Sequence, residues 1–205
     1  MITSIIRINT RGDGMEEALA VTEKLGLDSG LGHKENLRLR LLAEELIGLM
    51  RGITGSMEAS YQAQQEGRKF ALCLKADVTM TQELRKQLLA ASSSGKNDAA
   101  RGFMGKLREM VAAVLLPENE DSAPLKGLSL GLMGLGSPAH YTAGIDAYAW
   151  SMSKYVSEIS DSRDRDEEAA RAWDELERSI VANLADEVGV KIKGSHVEIV
   201  ITKAF

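Results

Sequence analysis

Apolar side chains recur along this chain in two rhythms, and turn-forming residues mark where one gives way to the other. Ile2 to Asn9 is rich in isoleucine and runs into Arg11-Gly12-Asp13-Gly14, which reads as a strand entering a turn. The rhythm then becomes helical. Met15, Ala18, Leu19, Thr22 and Leu25 share one face as far as Gly26, and Asp13 with Glu16 three residues on forms a capping-box pattern. Past a glycine-rich joint at Gly26, Gly30 and Gly32, the stretch Lys34 to Ile53 carries Leu39, Leu42, Leu46, Leu49 and Ile53 as one stripe, predicting a long helix.

After Gly55 the period falls to two. Met57, Ala59, Tyr61 and Ala63 alternate with Glu58, Ser60, Gln62 and Gln64, as in a strand with one wet face. From Arg68 to Ala76 both faces are largely apolar, with Phe70, Leu72 and Leu74 on one and Ala71 and Cys73 on the other, which predicts a central strand. Gln65-Glu66-Gly67 joins the pair as a hairpin. Helices are expected from Thr79 to about Ala90 and from Asn97 to Leu115, the second with Phe103, Leu107, Met110, Val111 and Val114 inward and Pro117 ending it. Glu118 to Tyr141, with its glycine-leucine run from Gly127 to Gly136, lacks a period and reads as a lid or ordered loop. Two more helices are expected near Ala143 to Ile159 and Asp166 to Glu187. Val188 to Lys193 and His196 to Lys203 then flank Gly194-Ser195 as a second hairpin.

This order predicts an α+β fold in a single domain over residues 1–205. The expected architecture is a two-layer sandwich, a five-stranded mixed sheet with helices on one face and a helical or lid insertion around 80–141. Composition then narrows the chemistry. Thirty acidic against twenty-five basic residues leave a net charge of -5, which argues against nucleic acid as a partner. One cysteine excludes an internal disulfide framework, and three histidines on different elements support no metal site. Cys73, among apolar neighbours, is expected to be a buried structural thiol. With no apolar run approaching ~20 residues and no signal-peptide pattern, the expectation is a cytoplasmic protein without a membrane partner.

Three segments carry a resemblance. Leu41 to Met50 places Glu44 and Glu45 on the long helix, Asp77 closes the central strand, and Gly102-Phe103-Met104-Gly105 or Gly131 to Gly136 supplies a glycine-rich turn. Together with the element order, these resemble the histidine-kinase-like ATPase superfamily (GHKL), and within it the small anti-sigma-factor kinases. The resemblance implies that Glu45 would polarise a water as the catalytic residue, and that Glu44, Gly48, Asp77, Gly102 and Gly105 would line a site for ATP or ADP. It implies a pocket between the helix of Glu44, Glu45 and Gly48 and the strand exit at Asp77. The family pattern Glu-x-x-x-Asn is incomplete, because Gly48 and Leu49 stand where the asparagine would hold magnesium. The glycines that follow the family's aspartate are also absent, replaced by Val78-Thr79-Met80-Thr81.

The reading that accommodates both the order and the gaps is a regulatory protein acting through protein contact, with residual nucleotide binding. An active ATP-dependent serine kinase or ATPase is the alternative, and a structural or oligomerisation module without ligand is the second. A protein partner and a homodimer are the associations expected.

Overall fold

The computed structural model describes residues 1–53, 58–78, 103, 107, 111 and 147–205. Its elements in chain order are β1 (Ile6–Asn9), α1 (Met15–Asp28), α2 (His33–Ile53), β2 (Glu58–Glu66), β3 (Lys69–Asp77) and β4 (Ala147–Ser151), then α3 (Met152–Ser162), α4 (Glu167–Glu177), α5 (Ile180–Leu184), β5 (Glu187–Lys193) and β6 (His196–Ala204). The fold is α+β. Among the described residues its sheet has six strands in the order β1-β2-β3-β6-β5-β4, and every neighbouring pair is antiparallel. The expected five-stranded mixed sheet is therefore corrected in strand number and in direction. The two hairpins, β2–β3 and β5–β6, turn at Gly67 and Gly194, both at positive φ (59° and 56°). They meet along β3 and β6, which run antiparallel from Lys69↔Ala204 to Asp77↔His196.

The added strand comes from the segment expected to be helix from Ala143 to Ile159. Tyr148 and Trp150 lie on β4, and Ser151 then starts α3 by accepting a hydrogen bond from the Lys154 N–H. Met152, Tyr155 and Ile159 bury one face of α3. Tyr148, Met152, Tyr155 and Ile159 thus lie at helical spacing even though a strand contributes the first, which is why the pattern reads as unbroken helix. The helix expected from Asp166 to Glu187 is likewise divided, because the Ser179 hydroxyl accepts from the Ala182 N–H and begins α5 anew.

Burial on the sheet follows one face. Ile6, Ile8, Tyr61, Phe70, Leu72, Leu74, Val188, Val190, Ile199 and Ile201 join one core with Leu39, Leu42, Leu46 and Leu49 of α2 and Ala18 of α1. α2 crosses β3 and β6, α1 lies by β1 and β2, and α3 lies by β4 and β5. Phe103, Leu107 and Val111, at helical spacing, are buried in the same core. The helix expected from Thr79 to Ala90, the rest of the one from Asn97 to Leu115, and the lid within 80–141 otherwise lie outside the described residues. β3, third of six strands, is central as its two apolar faces suggest.

Two local expectations change. The Asp13–Glu16 capping box is not formed: Gly14 is the N-cap at φ 75° without a side-chain cap, and the Asp13 carboxylate accepts from Asn9 Nδ2 at 2.7 Å instead. Nor does Gly26 end α1, which continues to Asp28.

Candidate functional site

The residues that resemble the ATPase family divide between the two sides of the sheet. Glu44, Glu45 and Gly48 share α2, on the helical side. Glu44 is exposed and accepts from Arg40 Nε at 3.2 Å, while Arg40 Nη1 reaches Glu23 Oε2 at 2.8 Å. The Glu23 hydrogen bond, with that of Glu44 behind it, raises the Arg40 pKa although burial opposes it. Glu45 is half-buried, and Leu49, four residues beyond it, is buried in the core. In β3 the core-facing positions are Phe70, Leu72, Leu74 and Ala76; Asp77 is in phase with Lys75, so its carboxylate lies on the opposite face from α2. There it pairs with Nδ1 of His196 across the β3–β6 ladder. The structure does not bring Asp77 to Glu44, Glu45 and Gly48. Gly102, Gly105 and the alternative run Gly131 to Gly136 lie outside the described residues.

Asp77 belongs instead to a concavity of about 650 Å³ on that opposite face, at one end of the sheet. Strand pairing builds it. Arg7, Ser60, Lys75, Glu198 and Lys191 stand side by side on β1, β2, β3, β6 and β5, and the next row along brings Glu58, Asp77, His196 and Lys193. Each of these side chains occupies the wet phase of its strand because the alternate phase is taken by the core.

Charge within the cleft is partly paired. Lys75 Nζ lies 3.0 Å from Glu198 Oε1, and the same oxygen accepts from the Cys73 thiol at 3.5 Å. The Lys75 hydrogen bond lowers the Glu198 pKa despite partial burial, and Glu198 in turn raises that of Lys75. Burial, followed by the negative charge of Glu198, pushes the Cys73 thiol up to about 11. At neutral pH Cys73 stays protonated and is a poor nucleophile. Among the described residues, neither Arg7 nor Lys193 has an ion-pair partner, and Lys191 shares Glu198 with Lys75. The described lining of the cleft thus carries the basic side chains Arg7, Lys75, Lys191 and Lys193 against the carboxylates Glu58, Asp77 and Glu198, a slight basic excess on a protein of net charge -5. No group of three or more His, Cys, Asp or Glu among the described residues could hold a metal ion. None of the described helices is long and apolar enough to cross a membrane.

This row of cations has only a faint sequence signal. Each lysine or arginine sits at a wet position of an alternating strand, but their meeting depends on cross-strand register, and β1 and β5 are 178 positions apart at Asn9 and Glu187. No protein-family model, curated protein or solved structure matches the chain.

Proposed function

We propose that this chain is a regulatory protein with a GHKL-like core that works by protein–protein contact and does not turn over ATP. The observation that carries this reading is the chemistry of α2: Gly48 and Leu49 follow Glu44 and Glu45 at the position where a metal-holding side-chain oxygen would be needed. The order of two helices before a hairpin and a second hairpin at the C-terminus supports the kinship. The pairing of Asp77 with His196, on the face away from α2, supports the loss of an adenine-receiving role for that carboxylate. A nucleotide, if retained, is a ligand rather than a substrate in this reading.

Calorimetric titration with ATP, with and without magnesium, and a coupled phosphate-release assay test it together. The expected result is no saturable phosphate release and no gain of affinity from magnesium. Release that saturates in ATP and is abolished by Glu45→Ala would restore the reading of an active kinase or ATPase.

A further inference from the structure

The sheet face away from the helices has features that a merely solvated face does not require. Across its centre Cys73, Val200 and Gly189 stand side by side on β3, β6 and β5 as a row of small side chains bordered by Gln62 on β2, and the next row holds Gln64, Ala71, Thr202 and Glu187. Gly189 lacks a Cβ where open space stands above the strand, with no described atom within 4 Å of the position a Cβ would take. Glycine inside a strand weakens it and often marks a place where another backbone comes close. Beside this strip runs the row of Arg7, Lys75 and Lys191 on β1, β3 and β5, each exposed and two strands from the next, with Ser60 between the first two and Glu198, which pairs with Lys75, between the last two. Alternate strands are about 9.6 Å apart and β1 to β5 spans about 19 Å. On an α-helix, residues seven apart lie about 10.5 Å apart along the axis, and about 13 residues cover the whole row.

From this match we propose that the face is a docking surface for an acidic amphipathic helix of a partner protein. The helix would lie across the strands, its small apolar side over Ala71, Val200 and Gly189 and its carboxylates, spaced in heptads, along Arg7, Lys75 and Lys191. A nucleic-acid strand fits less well, since Glu58, Asp77 and Glu198 interrupt the cations and none of the residues lining the cleft is aromatic. The inference rests on the protein-contact reading above and adds to it the surface and the partner's chemistry.

The test uses the full chain and a fluorescein-labelled helical peptide of about 18 residues, with alanine and leucine on one face and glutamates seven apart along its flank. Anisotropy should show saturable binding that weakens in about 0.5 M salt. Arg7→Glu with Lys191→Glu should weaken it about tenfold or more, because reversal replaces attraction by repulsion. Arg7→Gln with Lys191→Gln gives the same direction with less risk to folding, and Gly189→Leu should block docking without changing charge. No binding by the glutamate peptide, equal binding by a version with lysine in place of glutamate, displacement by a single-stranded oligonucleotide, or indifference to all three variants would overturn the proposal. Phosphate release measured on the same preparation separates the two ideas: its absence with a failed peptide removes only this surface, whereas its presence removes the regulatory reading.

Discussion

Gly26 sits within α1 because Asn36 of α2 presses against it. The Asn36 side chain is buried, donates from Nδ2 to the Glu23 carbonyl at 3.2 Å, and has no partner for Oδ1 among the described residues. A Cβ on residue 26 would collide with that oxygen. Gly26→Ala should therefore destabilise the protein by about 1–3 kcal/mol, although alanine is the better helix former, and a urea midpoint would register it. In the sequence this glycine looks like a helix stop, since a close tertiary approach and a terminus both select glycine and only the fold distinguishes them. Cys73 is easier to read: it alternates with the core-facing Leu72 and Leu74, so β3 is apolar on both faces, and on the far face Gln62 and Val200 of the flanking strands stand beside the thiol. With its pKa pushed up to about 11 by burial, it should react slowly with a thiol reagent at pH 7.5 in the native protein. Addition of denaturant should speed the reaction by orders of magnitude; equal rates in both states would count against burial of the thiol.

At the scale of elements, the hairpins are legible because alternation and a glycine turn report the same thing from adjacent residues. β4 is not, because Tyr148, Met152, Tyr155 and Ile159 preserve a helical period across its junction with α3, so the strand reads as the start of that helix. The glycine-rich joint before α2 and the leucine stripe within it together locate that helix to within one residue of its start. Its two sides differ in kind: Leu42, Leu46 and Leu49 are buried, whereas a methyl group added at Gly48 would have no described atom within 4 Å. Against the described residues a methyl group at position 48 has room, and a glycine in a helix interior costs about 1 kcal/mol against alanine. Gly48→Ala should thus raise stability by up to about 1 kcal/mol, seen as a higher urea midpoint at unchanged slope. A loss of stability would mean that the missing side chain at position 48 is required by a contact made there.

For the molecule as a whole, which side of the sheet a residue faces decides more than its place in the chain, and this is where sequence reading runs short. Asp77 matches a motif by position, yet one step of strand phase puts its carboxylate with His196 rather than beneath α2. One ion pair on the wet face ties the two hairpins together, and another holds the start of β5 to β6 within the second hairpin. Glu198 of β6 meets Lys75 of β3, and Asp186, just before β5, accepts from Lys203 Nζ at 2.7 Å and from the Ala204 N–H at 2.6 Å. The Lys75 hydrogen bond holds the Glu198 carboxyl below its ordinary 4.5. For Asp186, burial pulls upward, but the Lys203 and Ala204 hydrogen bonds prevail and leave it below its ordinary 3.8. In both cases the unfolded chain takes up its proton at a higher pH than the folded protein does. Their contribution to stability is present above the unfolded values and is lost as the pH falls through the folded ones. Urea midpoints should accordingly be steady near neutrality and decline as the pH drops below about 4.5 toward 3. Because both Glu198 and Lys75 are partly exposed, salt should shallow that decline. Glu198→Gln should remove part of the slope while leaving some from Asp186, and an undiminished slope in that variant would assign the acid response to other carboxylates.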